Sequence, residues 1–204
     1  MKFAEHTLKD FTAEVASQQP TPGGGSVAGL CGALSASLLS MVVALTKNQS
    51  LNEYADELEA IRKEALELMD KDAASFDEVM AAFRMPKETE EEKEKRRAGI
   101  QSALKQASIV PLDTMKLGLK LLEIARHVVE KGNPNAVSDV GVAGLAAMTA
   151  IKGGGYNVLI NAYSLDNREI LQKLVDEVEE IVEEGEKLLA EIEKITTHKI
   201  TGSK

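Results

Sequence analysis

A carboxylate stands where the surrounding pattern calls for an apolar side chain. Between Asn52 and about Met85, apolar residues recur every three or four positions, which predicts a long amphipathic helix. Asp72 lies four residues after Leu68 and four before Phe76, so it belongs to the apolar face. Burial without a cation raises the pKa of a carboxyl group and makes it a candidate proton donor. The alternative is a structural aspartate bonded to a helix end or a lysine, and the residues alone leave both open.

Two glycine-rich segments are the next candidates for binding chemistry. One contains Gly24, Gly25 and Ser26, and the other is the triplet at residues 153–155. Free N–H groups at a helix start can hold an anion or a carbonyl oxygen, and glycine lets a ligand approach the backbone. Neither segment has the Gly-Lys-Ser/Thr element of a phosphate-binding loop. Tight turns between helices are therefore the favoured interpretation.

Polar side chains also adjoin otherwise apolar segments. Ser138 and Asp139 stand at the entry to an uncharged segment, and Asn157 and Asn161 share one helix face at a spacing of four. Amides on an apolar helix either satisfy buried backbone groups or bind the donors and acceptors of a ligand. For these two asparagines the structural role is slightly favoured.

Capping residues and helix-breaking residues along the chain predict helices nearly everywhere. The expected caps are Thr7, Ser26, Asn52, Thr89 with Glu92, Ser138 with Asp139, and Asp166 with Glu169. The helices that these caps begin cover residues 7–17, 27–46, 52–85, 89–131 with a kink or break at Pro111, 140–151 and 166–201. A further short helix, without a predicted cap, covers residues 156–164. Because no strand candidate has a partner, we expect an all-α fold, a multi-helix bundle in one domain over residues 1–204 with two central small-residue helices.

The composition excludes several classes of protein. The 204 residues carry 24 Lys and Arg against 33 Asp and Glu, a net charge of −9, which disfavours nucleic-acid binding. The lone Cys31 and three scattered histidines predict no disulfide and no metal site, and they fit a cytoplasmic setting. Residues 15–46 are uncharged and long enough to cross a membrane. Their interspersed Gly and Ser, without an aromatic belt, predict a buried helix of a soluble protein instead.

Several of these segments occur together in one known family. The set comprises residues 20–28 (PTPGGGSVA), 70–76 (DKDAASF), 84–87 (RMPK), the charged run ending at Arg97, Ser138-Asp139, and 156–161 (YNVLIN). In this order they resemble the formiminotetrahydrofolate cyclodeaminase and methenyltetrahydrofolate cyclohydrolase family. The resemblance covers almost the whole chain.

The resemblance implies an all-α homodimer that acts on a tetrahydrofolate derivative without a metal or nucleotide. In cyclodeamination, N10 of 5-formimino-tetrahydrofolate attacks the formimino carbon, and ammonia leaves to give 5,10-methenyl-tetrahydrofolate. The family assigns the general acid of this step to the aspartate that matches Asp72. The alternative reaction is hydrolysis of 5,10-methenyl- to 10-formyl-tetrahydrofolate at the same site. A non-catalytic helical folate-binding or scaffold protein is a further alternative, and it would not require Asp72 on the apolar face.

The resemblance also suggests how the remaining candidates are used. Glycines and polar residues at helix entries would line the cleft, namely Gly24, Gly25, Ser26, Ser138 and Asp139. Asn157 and Asn161 would bind the pterin or orient Asp72. A folate with one or more glutamates is an anion, so an acidic protein needs local cations for it, and we expect Lys47, Lys87 and Lys152 to supply them.

Overall fold

The computed structural model describes residues 2–47 and 51–202, and within these ranges it contains α-helices, 3-10 turns and no strand. The α-helices are α1 (Leu8–Val15), α2 (Gly24–Ala44), α3 (Tyr54–Phe83), α4 (Glu90–Lys131), α5 (Val137–Ala162) and α6 (Arg168–Thr201). The predicted all-α fold is confirmed. Short 3-10 turns over Phe3–Glu5 and Pro134–Ala136 precede α1 and α5.

The small-residue helices α2 and α5 run antiparallel at the centre of the bundle. The Ser35 hydroxyl of α2 donates to the Ala143 carbonyl of α5 at 2.8 Å. A Cβ on Gly32 would lie only 3.1 Å from Leu117 of α4. Side chains without bulk therefore let both helices approach their neighbours closely. Around this pair lie α3, α4 and α6, which carry most of the charged surface.

Helix caps follow the predictions in part. Thr7 caps α1, and Thr89 with Glu92 forms the predicted capping box of α4. The predicted caps Ser26 and Ser138 are wrong, because α2 begins at Gly24 and α5 at Val137, which places both serines inside the first turn. The predicted cap Asn52 is also wrong, because α3 begins at Tyr54 and its cap residue is Glu53. The α6 cap is the residue after Asp166, namely Asn167, whose side chain accepts from two backbone N–H groups.

The second glycine triplet is not a turn, and α5 continues through it. A Cβ on Gly153 would lie 3.1 Å from the Ala28 Cβ, and one on Gly154 would lie 2.7 Å from the Pro111 carbonyl oxygen. Close packing against α2 and α4 offsets the cost of glycine in a helix, about 1 kcal/mol per residue. Helix α4 likewise passes Pro111 without a break.

Both α2 and the segment Pro134–Ala162 are long and apolar enough to cross a membrane by length and composition. About half of each apolar window is nevertheless buried inside the bundle, 50% and 56% respectively. Core helices of a bundle share these properties.

Candidate active site

A cleft of about 350 Å³ opens where the loop before α2 meets α3, α4 and the end of α5. Its volume falls in the range of small-molecule sites. The α3 wall presents the predicted apolar face, including Asp72, Phe76, Val79 and Phe83. The other lining residues are Pro20, Thr21, Gly23, Gly24, Gly25, Ser75, Met80, Leu104, Ala107, Asn157, Ile160, Asn161 and Ser164.

The carboxyl group of Asp72 contacts the first turn of α2. The Ser26 hydroxyl lies 3.1 Å from Asp72 Oδ2 and 3.0 Å from the Met69 carbonyl oxygen, so its single proton is shared between two acceptors. The backbone N–H of Ser26 also favours the charged form of this carboxyl group and acts to lower its pKa. A Cβ on Gly25 would overlap the Asp72 carboxyl group, so glycine is required for this contact.

Burial raises the pKa of Asp72, while the hydrogen bonds from Ser26 act in the opposite direction. Within the described part of the chain, Asp72 makes no ion pair with a Lys or Arg. Asp72 thus combines the two interpretations of the sequence, because it binds a helix end and also lines the cleft. The site can deliver a proton to a bound ligand and accept one back.

The two asparagines present free acceptors to the same cleft. Asn157 Nδ2 donates to the Gly153 carbonyl of its own helix at 2.8 Å. Asn161 Nδ2 donates to the Ala107 carbonyl of α4 at 3.0 Å. Neither Oδ1 has a hydrogen-bond partner among the described residues. The amides therefore satisfy backbone groups with one end and can bind a ligand N–H with the other.

Ser138 and Asp139 are not brought to this cleft within one chain. They lie in the first turn of α5, and 18 residues of helix, about 27 Å, separate Asp139 from Asn157. The family resemblance implies that these two residues line the cleft, but within one chain the length of α5 keeps them away from it.

Two of the three predicted lysines lie elsewhere as well. Lys47 follows the end of α2 that is remote from Asp72 and lines a separate depression with residues 131–135. Lys152 pairs with Glu186 at 2.6 Å and borders another depression with Tyr156. Lys87 is exposed four residues after the cleft residue Phe83, and it has no ion-pair partner among the described residues.

Arginines near Phe83 are cations that the sequence analysis did not single out. Arg96 donates to the Phe83 carbonyl at 3.1 and 3.2 Å, and its guanidinium lies 5.8 Å from the centre of the Phe83 ring. Arg84 is exposed, and neither arginine pairs with a carboxylate of the described chain. Both belong to a stretch of mixed charge that reads as an ordinary solvated surface, which is why spacing alone did not reveal them.

No group of three or more His, Cys, Asp or Glu side chains that could hold a metal ion occurs within residues 2–47 and 51–202. The fold and the site define a helical-bundle protein with a protonatable carboxyl group in a ligand-sized cleft. Residues 7–180 match the model of the family described as formiminotransferase-cyclodeaminase. The chain belongs to this family.

Named relatives carry two activities. The chain is 37% identical to a methenyltetrahydrofolate cyclohydrolase of Methylorubrum extorquens, over 88% of this chain and 90% of that protein. It is 30% identical to the formimidoyltransferase-cyclodeaminase of Rattus norvegicus, over 88% of this chain and only 35% of the longer protein. The crystal structure of a formiminotetrahydrofolate cyclodeaminase from Thermotoga maritima matches with a TM-score of 0.84 at 27% identity, covering 97% and 98% of the two chains.

Proposed function

We propose that this protein is a folate enzyme that converts 5-formimino-tetrahydrofolate to 5,10-methenyl-tetrahydrofolate and releases ammonia. Family membership and relatives named for reactions of folate-bound one-carbon groups support a role in folate one-carbon conversion. The observation that carries the proposed reaction is Asp72, a carboxyl group with a raised pKa on the apolar wall of the cleft. A scaffold protein would need this carboxyl group only to bind the first turn of α2, and not to line a ligand-sized cleft.

The proposed mechanism assigns proton transfer to Asp72. N10 forms a bond to the formimino carbon, and the tetrahedral intermediate must lose the proton of N10 and gain one on its amino group. Ammonia leaves readily only when that amino group is protonated. The protonated carboxyl group of Asp72 donates this proton, and the resulting carboxylate is stabilised by Ser26. The carboxylate then takes up the proton that N10 loses, so Asp72 ends the reaction protonated, as it began.

Cyclohydrolysis is the second candidate, and the Methylorubrum relative of similar length favours it. Water adds to the methenyl carbon, and the bond from that carbon to N5 breaks as N5 gains a proton. The result is 10-formyl-tetrahydrofolate. Asp72 can again exchange protons at the same carbon and its nitrogens.

The two reactions are separated by supplying each substrate to purified protein. Formation of the methenyl chromophore with ammonia from 5-formimino-tetrahydrofolate supports cyclodeamination, and accelerated loss of the chromophore from 5,10-methenyl-tetrahydrofolate supports cyclohydrolysis. A protein that changes neither substrate faster than buffer contradicts the proposed function.

We infer that the folate carboxylates bind at the Phe83 end of the cleft. Lys87, Arg84 and Arg96 are the cations there without a carboxylate partner in the described ranges. Replacing Arg84 by Gln is expected to raise KM several-fold for folates with one or more glutamates and to leave pteroate analogues, which lack glutamate, unaffected. The matched control is Arg168→Gln on α6. An equal effect on both ligand types would contradict the assignment.

We also propose that the protein acts as a soluble, cytoplasmic homodimer. Adjacent exposed faces of α2 and α5 present apolar side chains and few charges: Leu34, Met41, Leu45, Val142, Leu145, Tyr156, Ile160 and Tyr163. With 21 and 26 residues, the two helices form a face of roughly 700 Å², close to the 800 Å² or so per partner of a stable dimer. Ile160 belongs both to this face and to the cleft, so the second copy would cover the cleft rim.

A further inference from the structure

Pro111 lies inside α4 and leaves a backbone carbonyl without its helical partner. An α-helix bonds each carbonyl to the N–H four residues later, and proline has no N–H. The carbonyl affected is that of Ala107, which lines the cleft. In place of the missing N–H, Asn161 of α5 donates its Nδ2 to this carbonyl at 3.0 Å.

This bond fixes which end of the Asn161 amide is available to a ligand. A carbonyl oxygen only accepts, so the amide must turn its NH₂ group toward Ala107. The other end, Oδ1, has no partner in the described part of the chain, and Asn161 lines the cleft that contains Asp72. Asn157 differs, because its amide bonds to a carbonyl of its own helix.

The packing of α5 against α4 brings the two groups together. A Cβ on Gly154 would lie 2.7 Å from the Pro111 carbonyl oxygen and 2.8 Å from Met115 Cγ, so glycine permits the close approach. Asn161 lies two helical turns after Gly154 and therefore on the same face of α5. Ala107 lies one turn before Pro111 on the antiparallel neighbour.

We propose that Pro111 is a positioning residue for substrate recognition: by freeing the Ala107 carbonyl, it holds Asn161 with its Oδ1 ready to accept from an N–H donor of the bound heterocycle. The substrate class follows from the proposed folate function, on which this recognition role rests. The orientation of Asn161 does not depend on it. Pro111 thus removes one hydrogen bond from α4, and as a result Asn161 Oδ1 is held in the cleft as an acceptor with a fixed direction.

The test replaces Pro111 by Ala, which restores an N–H that competes for the Ala107 carbonyl. The side-chain NH₂ of Asn161 is observed by NMR in both proteins without ligand. We expect its resonances to shift and its hydrogen exchange to accelerate in Pro111→Ala. Unchanged resonances and exchange would overturn the proposal, whatever the protein catalyses.

The second part of the test measures the kinetics and thermal stability of Pro111→Ala. Pro111→Ala is expected to melt at the same or a higher temperature, since alanine suits a helix interior better. Its KM for the folate substrate should nevertheless rise about tenfold, the loss of roughly one hydrogen bond, with kcat changed much less. A merely structural proline would not raise KM while stability is kept.

A double-mutant cycle completes the design. In the Asn161→Ala background, Pro111→Ala should leave KM unchanged, because the amide it orients is absent. An equal rise in KM in both backgrounds would overturn the role of Asn161. Binding of tetrahydrofolate by the unaltered protein is measured by calorimetry alongside. If the unaltered protein neither binds nor converts folates, the proposed function fails and so does the recognition role, whereas the NMR result still decides the orientation of Asn161.

Discussion

The hydroxyl of Ser26 tunes the proton affinity of Asp72, and Ser26→Ala tests this. The hydroxyl donates toward Asp72 Oδ2 at 3.1 Å and shares its proton with the Met69 carbonyl oxygen at 3.0 Å. A hydrogen bond to a charged group contributes about 1.5–3 kcal/mol, and sharing reduces this to roughly 1 kcal/mol in favour of the carboxylate. The backbone N–H of Ser26 stays in place in the variant.

The expected effect is a shift of the pH–rate profile. As a general acid, Asp72 acts in its protonated form, so kcat is high below its pKa and falls as the pH rises through it. Removing a donor to the carboxylate raises the pKa, and the alkaline limb of kcat should move to higher pH by roughly 0.5 to 1 unit. The assay follows the methenyl chromophore with saturating substrate across the pH range.

Ser75→Ala is the matched control. Ser75 also lines the cleft, but its hydroxyl donates at 2.8 Å to the backbone carbonyl of Asp72 and not to the carboxyl group. The alkaline limb of the kcat profile of Ser75→Ala should coincide with that of the unaltered protein. A Ser26→Ala limb that stays in place or moves to lower pH would refute the assignment of Asp72 as the general acid tuned by Ser26.

Three further predictions concern the same carboxyl group and the dimer face. In Asp72→Asn, activity should be lost although Tm at pH 8 is no lower. The pKa of Asp72 in the folded protein is raised above the ordinary 3.8, so its carboxyl group lowers the stability of the folded state as pH rises from that value. Any gain in Tm from the substitution should therefore shrink toward acidic pH. In Gly25→Ala, overlap with Asp72 should lower the free energy of unfolding, measured in denaturant, by about 1–3 kcal/mol and abolish most activity. In Gly24→Ala, the added Cβ meets only an atom at 3.6 Å, so the free energy of unfolding should not change. Leu34→Glu, at a side chain 52% exposed on the apolar face, should give a monomer in light scattering, while Leu8→Glu on α1 should leave the dimer intact.

The helical pattern of the sequence is sufficient to predict the all-α fold and the helix face on which Asp72 lies. Steps of three and four residues identify α3 and the face on which Asp72 lies, because helix periodicity is a local property of the sequence. Local sequence signals gave a wrong prediction at the second glycine triplet, where they indicated a turn and α5 is continuous. Glycine within α5 is accommodated by the backbone of α4 and the side chains of α2, which no local pattern reveals.

The assignment of Ser138 and Asp139 to the cleft came from the family resemblance and not from a distance that the sequence shows. Within one chain, the continuous helix α5 carries both residues to the end remote from Asn157. The bond between the Asn161 amide and the Ala107 carbonyl joins residues 54 positions apart. The carbonyl is free to accept it because Pro111 has no backbone N–H. Pro111 and Asn161 are both visible in the sequence, but only the packing of α5 on α4 shows that the Asn161 amide bonds to the carbonyl four residues before Pro111.

We propose that Asp72 transfers a proton in this cleft during conversion of a folate-bound one-carbon group. The most direct measurement compares unaltered protein with Asp72→Asn in single-turnover reactions on 5-formimino-tetrahydrofolate and on 5,10-methenyl-tetrahydrofolate, with binding of tetrahydrofolate measured for both proteins. We predict that the unaltered protein converts at least one substrate, and that Asp72→Asn binds tetrahydrofolate but converts neither at more than a small fraction of that rate. Equal rates for the two proteins, or no conversion by the unaltered protein, would contradict the account.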